Sequence, residues 1–441
     1  MQLDEYLIIT IPFTFSYSFL ILSNAKLLKV NRYIFTIGFF LTLWHFYEFV
    51  LFPLSAPFLF SDIIGNFDFW IYFIMLILIL FYLLFFNIFL RLFLLITYNL
   101  SNRIAIQFVD SKTVYTILKA LFFFTLLFYL FYYKSTYKTL NTIYVLTHKI
   151  PMNSAKFINY QVYYWVIIYS IFSLSGYFMC IYHIFKKNYV KSMCYLLSLF
   201  YILVGLKSKY VFVILFLYIA GLYFTNNSLK SLIFLMFITL LIPFLVGGFN
   251  ALRGGGISFN SDALFLLLKY FVWRADFLYG FYKQVYYHIK TLDFSFGCSI
   301  FSLLLRIFPR AIWHDRPGST NIILTQKIFG KFGDIKGWSF DFGGIGEFLY
   351  NFGPIGIILA AAYGSFWVAL FNNMLIYSIK SRRLFLLSFI LTSPVFWIPW
   401  NIGINTSFSL FFIPHILVGI IIIFLSNILK ISCNYNNFKQ K

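Results

Sequence analysis

From Phe69 to Leu90 the chain runs for 22 residues, FWIYFIMLILILFYLLFFNIFL, without one charged side chain. A helix needs about 20 consecutive apolar residues to cross the hydrocarbon core of a bilayer. Lipid offers no partner to backbone N–H and C=O groups, so only helices and closed barrels cross it. The apolar runs here are about 20 residues long and do not alternate with polar ones, which selects helices over a barrel. The composition agrees, at 61% hydrophobic, 24% aromatic and 11% charged, where a soluble domain carries about 25% charged residues. The expected fold class is an all-α polytopic membrane protein.

Eleven spans are predicted, near 6–23, 33–52, 69–90, 114–133, 161–185, 190–206, 210–224, 229–247, 352–376, 384–400 and 408–429. The first residues, MQLDEY, are acidic and lack the basic n-region of a signal peptide, so the first span is expected to remain. Orientation follows from the short connections. Lys26, Lys29 and Arg32, then Arg91 and Arg103, then Lys186, Lys187 and Lys191, then Lys380, Arg382 and Arg383, and finally Lys430, Lys439 and Lys441 alternate onto one side. That side is expected to be cytoplasmic, with the N-terminus outside and the C-terminus inside. Asp4, Glu5, Asp62 and Asp68 fall on the opposite side.

Two stretches run against this rule. The 134–160 connection carries Lys134, Lys138, Lys149 and Lys156, and the turn Lys207-Ser208-Lys209 carries two more lysines, yet both alternate to the outside. Either a re-entrant segment lies nearby, or these lysines face an extracytoplasmic anion. The formal net charge of +21 allows both accounts, since cytoplasmic lysines and arginines supply part of it. Cys180, Cys194, Cys298 and Cys433 are scattered with no CxxC pair, which suggests neither a disulfide framework nor a zinc site.

The predicted organisation is a bundle of about eight spans over 1–247, a long outer loop over 248–351, and about three further spans over 352–441. A loop of that length is too long for a passive connector in a compact protein. Through residue 346 it holds eleven basic and six acidic residues. Residues 262–290 alternate apolar and polar side chains at helical spacing, as an amphipathic helix or helix pair at the membrane interface would. Residues 298–308 read as a short helix stopped by Pro309. Pro394 and Pro399 are expected to kink the tenth span, and Trp397 and Trp400 to form an interfacial belt. Gly356, Ala360 and Gly364 put small residues four apart in the ninth span, a close-packing face.

Chemistry is expected in the outer loop. Arg253, Arg274, Arg306, Arg310 and Arg316 lie there. A guanidinium presents a fork of donors suited to phosphate and keeps its charge. Pairing with Asp262, Asp276, Asp315 or Asp341, or with lipid headgroups, is the alternative for each. Glu347 sits in GGIGEFLYNFG at the expected start of the ninth span. It is either a helix-terminal carboxylate favoured by the dipole, or a general base or anchor for a catalytic arginine. Asp341 and Asp315 are weaker base candidates, and His314 titrates in the right range but lies beside Trp313. His45 and Glu48, one turn apart in the second span, are explained by a local pair or by a function inside the membrane. No metal-binding, P-loop, dinucleotide or serine-hydrolase pattern is present, and GGIGE is not GxSxG.

Two segments of this loop, PRAIWHDRPG at 309–318 and GGIGEFLYNFGPIG at 343–356, resemble the O-antigen and capsule repeat-unit polymerases of the Wzy type. That family has a proline–tryptophan–basic–proline segment, then a glycine–glutamate–aromatic–asparagine–phenylalanine–glycine segment entering a helix. Arg253 matches the family's arginine just after the helix preceding the loop. Gly205-Leu206-Lys207-Ser208-Lys209 loosely matches its Gly-Ser-Arg-like turn, with Lys209 where arginine is usual.

The resemblance implies a glycosyltransferase embedded in the bacterial cytoplasmic (inner) membrane, needing neither metal nor cofactor. It implies Glu347, Arg310 and Arg316 as catalytic residues, and Arg253 and Lys209 as substrate-binding ones; Arg274, Arg306, His314 and Asp341 are expected to bind substrate from their own chemistry and their place in the basic outer loop. The implied partners are an undecaprenyl-pyrophosphate-linked glycan donor and acceptor, the lipid bilayer, and a chain-length regulator and a flippase of the same pathway, with no nucleic acid. An O-antigen ligase-like enzyme with the same donor is the nearest rival. A lipid-linked glycan flippase or transporter is a rival of another class, although transporters place their charges at the bilayer midplane between repeats and no internal repeat is present here.

Overall fold

The computed structural model describes residues 2–28, 45–59, 66–108, 110–137, 162–205, 276–298, 320–330, 343–393 and 413–439. These residues are helical nearly throughout and contain no strand. In chain order the helices are α1 Leu3–Leu27, α2 Phe52–Leu59, α3 Phe69–Gln107, α4 Lys112–Tyr137, α5 Val162–Phe185, α6 Tyr189–Gly205, α7 Asp276–Thr291, α8 Thr320–Phe329, α9 Gly343–Phe352, α10 Ile355–Lys380, α11 Leu384–Thr392 and α12 Ile413–Lys439. Four stretches, Leu3–Leu27, Phe69–Gln107, Lys112–Phe131 and Ile355–Lys380, are long and apolar enough to cross a membrane, and Ser170–Phe185, Tyr189–Ile202 and His415–Ile428 are shorter apolar helices. The protein is a helical membrane protein. The expected spans near 210–224 and 229–247, and the expected helix at 298–308, lie outside the described residues.

Three helices differ in extent from their predicted spans. α3 is 39 residues long, or about 58 Å at about 1.5 Å per residue, roughly twice the hydrocarbon thickness. Arg91 therefore lies inside a helix and not in a connection. Its Nε donates to Asn87 Oδ1 one turn earlier at 3.1 Å. The second predicted span continues past residue 52 through a π-helical turn, Tyr47–Leu51, into α2. Pro53 has no N–H to give to the helical ladder, and the widened turn just before it accommodates that loss. α11 stops at Thr392, with Ser393 extended at φ −63° and ψ 131°. The ring of Pro394 disfavours the helical conformation at the residue before it. α11 therefore ends just before Pro394, and residues 394–400, on which the expected kink and the expected Trp397 and Trp400 belt fall, lie outside the described residues.

The chain divides into two compact units, each drawn from separated parts of the sequence. The first holds α1, α2, most of α3, α7, α8, α9 and most of α10. Its α1–α3 seam is built from aromatic and hydroxyl side chains. Tyr6 stacks on Tyr72 at 4.9 Å, Thr10 and Tyr72 share a hydrogen bond of 3.0 Å, and Tyr17 donates to the Leu76 carbonyl at 2.6 Å. Farther along, Asn87 donates to Asn24 at 2.7 Å. Such polar contacts act between helices where lipid removes the hydrophobic driving force.

The second unit holds the end of α3, then α4, α5, α6, the end of α10, α11 and α12. There α5 packs against α4, α6, α11 and α12. Two helix ends cap one another. Arg383 Nη1 donates to the carbonyls of Ala105, Ile106 and Phe108 at 2.9–3.1 Å, at the C-terminus of α3. Asp110 accepts the N–H groups of Leu384 and Phe385 at 2.5 and 2.8 Å, at the N-terminus of α11.

Candidate functional site

Between residues 276 and 352 three helices pack together in the first unit, with α7 touching both α8 and α9. α7 presents Phe281, Gln284, Val285 and His288 along one buried face, at the i, i+3, i+4, i+7 spacing of a helical stripe. Two of those four side chains are polar. On α9, Ile345, Phe348 and Leu349 are buried, and so are Glu347 and Asn351, both 0% exposed. On α8, Leu324 packs on Tyr350 of α9, flanked by Ile323, Ile328 and Phe329.

Hydrogen bonds fix the three helices. Gln284 Nε2 donates to the carbonyl of Gly346, the residue before Glu347, at 2.6 Å. The same amide nitrogen lies 3.3 Å from His288 Nε2. Gln284 Oε1, fully buried, meets no hydrogen-bond partner among the described residues. The His288 ring stacks between Phe294 and Tyr350, with centroids 4.9 and 5.9 Å away. Asn351 Nδ2 donates to the Glu347 carbonyl at 2.7 Å.

Where α7 ends, the Ser295 N–H donates to the Tyr350 carbonyl at 2.9 Å. At the rim, Asp293 accepts from Lys327 Nζ at 2.6 Å and from Tyr287 Oη at 2.7 Å. The Lys327 ammonium also lies 5.4 Å from the centre of the Tyr350 ring. α7 is tied to the start of α3 as well, since the Asp68 N–H donates to Tyr282 Oη at 2.7 Å and the Tyr282 ring stacks on Phe67 at 4.1 Å.

The electrostatics follow from burial and pairing. Burial holds the His288 imidazole neutral, lowered to about 4, with nearby Asp293 opposing that shift. The Lys327 ammonium and the Tyr287 hydroxyl hold the Asp293 carboxyl below its usual range, and Asp293 in turn raises Lys327. Burial and the adjacent Asp293 carboxylate raise the Tyr287 hydroxyl.

Glu347 is the predicted catalytic residue that the described residues include. It does not open the ninth span. A separate helix, α9, carries it as the fifth residue, and α9 is broken from α10 at Gly353-Pro354. Gly353 is left-handed at φ +62°, where glycine is least strained, and its N–H bonds back to the Leu349 carbonyl at 2.9 Å, as in a helix C-cap. A Cβ added at Gly356 would stand 2.0 Å from the Phe348 carbonyl oxygen, so the break brings α10 directly against α9. The small residue at 356 is required by this turn. The helix-dipole effect fades beyond the first turn, so capping does not account for a fully buried carboxylate one turn farther in. Such burial is costly unless compensated by partners, and Glu347 acts electrostatically on the Tyr363 hydroxyl of α10.

Arg253, Arg274, Arg306, Arg310, Arg316, Lys209, His314 and Asp341 lie outside the described residues. The sequence reading singled out neither Gln284 nor His288 nor Asn351. The signal for the first two was present, because both lie on the apolar stripe of an amphipathic segment where apolar residues are expected. Compared with protein-family models, with curated proteins and with solved structures, the chain finds no match in any of the three.

Proposed function

We propose that this protein is a membrane-embedded glycosyltransferase that polymerises undecaprenyl-pyrophosphate-linked oligosaccharide repeat units into O-antigen or capsular polysaccharide on the outer face of the cytoplasmic membrane. The observation that carries the reading is Glu347. It lies in the segment that resembles the polymerase pattern, on a short helix of its own, with its side chain wholly withdrawn from solvent. The packing of α7 against α8 and α9 supports the reading too, since a passive connector has no need of buried polar side chains such as Gln284 and His288.

In the proposed reaction a hydroxyl of the incoming lipid-linked repeat unit attacks the anomeric carbon of the growing chain. The glycosidic C–O bond forms as the bond to undecaprenyl pyrophosphate breaks, and the hydroxyl proton passes to a base. Glu347 serves as that base, or anchors an arginine of the site. Arg253, Arg310 and Arg316 are proposed to bind the departing pyrophosphate, whose developing charge fixed cations stabilise. Arginine suits this task because its donor fork is bidentate toward phosphate.

The test supplies the purified protein with a defined undecaprenyl-pyrophosphate repeat unit. A ladder of products differing by whole repeats is expected, abolished by Glu347→Gln at undiminished protein levels. Lysine substitution at Arg253, Arg310 or Arg316 is expected to slow the reaction roughly 10²–10³-fold. No ladder from the correct substrate, beside an active control enzyme, overturns the reading. In cells, loss of the protein is expected to leave single repeat units on the outer face. A ligase would leave polymer on its lipid carrier, and a flippase would trap units inside.

A further inference from the structure

The elbow that follows α7 has a surface unlike a solvent-facing turn. Ile289 is 46% exposed, Leu292 73% and Phe296 83%. Leu292 and Phe296 have left-handed backbones, at φ 51° and 46°. Bulky side chains seldom occupy that region, because Cβ approaches the backbone carbonyl. The other two non-glycine residues of this kind among the described residues are Lys187 and Arg382, whose side chains suit water. At the elbow the same strained conformation presents leucine and phenylalanine instead. Backbone strain at bulky residues persists where the surroundings or a function demand it.

Two tethers of this unit set the elbow's location. Asp68, at the N-terminal end of the long apolar helix α3, donates its N–H to Tyr282 of α7. Phe294, between the two exposed side chains, lies 3.6 Å from where a Cβ of Gly353 would stand, at the turn that opens α10. The first apolar turns of α10 are themselves outward-facing, with Ile355 66% exposed. Trp70, 68% exposed beside Asp68, is a residue type concentrated at membrane–water boundaries. The elbow is thus fastened to the starts of two apolar helices, both expected on the outer side. Lys290, exposed next to Ile289 and set over the Tyr286 ring, can keep its ammonium in the headgroup layer while its stem follows the apolar surface.

We propose that Ile289, Leu292 and Phe296 form an interfacial wedge that enters the outer leaflet beside the start of α10. The occupant of this apolar surface is the bilayer itself. The wedge holds α7, and with it the end of α9, at the depth of the lipid headgroups. It does not rest on the polymerase reading, and its test needs no glycan.

The full-length protein is reconstituted in phosphatidylcholine vesicles with an environment-sensitive fluorophore on Leu292→Cys or Phe296→Cys, the other cysteines being replaced. Lipids carrying a nitroxide high on the acyl chain are expected to quench both positions as strongly as a label at Leu359→Cys on α10, while aqueous iodide leaves them largely unquenched. Native Cys298, exposed two residues beyond Phe296, supplies a third position with no substitution in the elbow. It is expected to be quenched best by a headgroup nitroxide. Iodide quenching without lipid quenching would place the elbow in water and overturn the proposal. Protection from both quenchers would show that protein covers it, and would overturn it equally. Dilution into excess lipid then distinguishes a second copy from a segment of the same chain.

Discussion

Gln284 of α7 donates its side-chain amide to the main-chain carbonyl of Gly346 on α9, across 62 residues of sequence and over 2.6 Å. This bond joins the middle of α7 to the residue preceding Glu347. Gln284 is fully buried, and its bond adds to the helical one that the Gly346 carbonyl has within α9. Gln284→Leu is expected to destabilise the protein by about 0.5–1.5 kcal/mol. Gln284→Glu is expected to do more harm, because a carboxylate would face the carbonyl. Thermal unfolding in detergent, compared between the two variants, checks both the size and the order. Equal and negligible shifts would show that the bond contributes nothing.

His288 makes the packing sensitive to acid. Its ordinary value is about 6.5, and burial lowers it to about 4 in the folded protein. A lowered value means that the folded state excludes the proton. The stability it contributes is therefore complete above about pH 6.5 and is lost as pH falls toward about 4. Below that range Asp293, held low by Lys327 and Tyr287, begins to lose its own pairing. His288→Phe keeps a ring between Phe294 and Tyr350 and is expected to flatten the stability profile between pH 6.5 and 4. Melting temperatures of the two proteins across that interval provide the comparison, and parallel profiles would remove His288 as the cause.

The turn between α9 and α10 is expected to tolerate no side chain at Gly356. The added methyl would collide with the Phe348 carbonyl, and backbone cannot move aside as a flexible side chain can. Gly356→Ala should cost about 1–3 kcal/mol and disturb α9 itself. Gly353→Ala meets only the Phe294 ring at 3.6 Å, but forces a Cβ into a left-handed position, for about 1–2 kcal/mol. Expression and detergent stability of the two variants should both fall. A neutral Gly356→Ala would mean that the two helices separate at that turn.

Arg383 and Asp110 cap each other's helices, and their contributions should be coupled. Asp110→Ala strips two N–H groups of α11 and is expected to cost about 0.5–2 kcal/mol. Arg383→Ala removes the donor shared by the three carbonyls at the end of α3 and should be less stable than wild type. The double variant should cost less than the sum of the single ones, because residues in one network are not additive. Strict additivity in the cycle would separate the two caps.

The helical membrane class and the interruption of the tenth span at Pro394 were legible in the sequence; the break at Gly353-Pro354 was not, since the ninth span was expected to run on from Phe352 with Glu347 at its start. Lipid acts on each apolar run by itself, and a proline or glycine acts on its own turn, so neither effect needs knowledge of a partner. Of the amphipathic stretch expected over 262–290, α7 covers the second half, and residues 262–275 lie outside the described residues. The extent of α3 was not. Arg91 reads locally as the end of a span, yet Asn87 receives its guanidinium within the helix.

The sequence marked Glu347 by its neighbours, but could not distinguish a helix-terminal carboxylate from a buried one. That depended on α9 breaking away from α10, which leaves Glu347 inside a helix of its own with its side chain wholly buried. Gln284 and His288 entered the cluster only because their stripe faces α9. Likewise, Arg383 found Ala105, Ile106 and Phe108 more than 270 residues away. Hydrophobicity and turn chemistry are properties of a segment and can be summed along it. A hydrogen bond between two helices depends on which faces meet, and only the tertiary structure decides that.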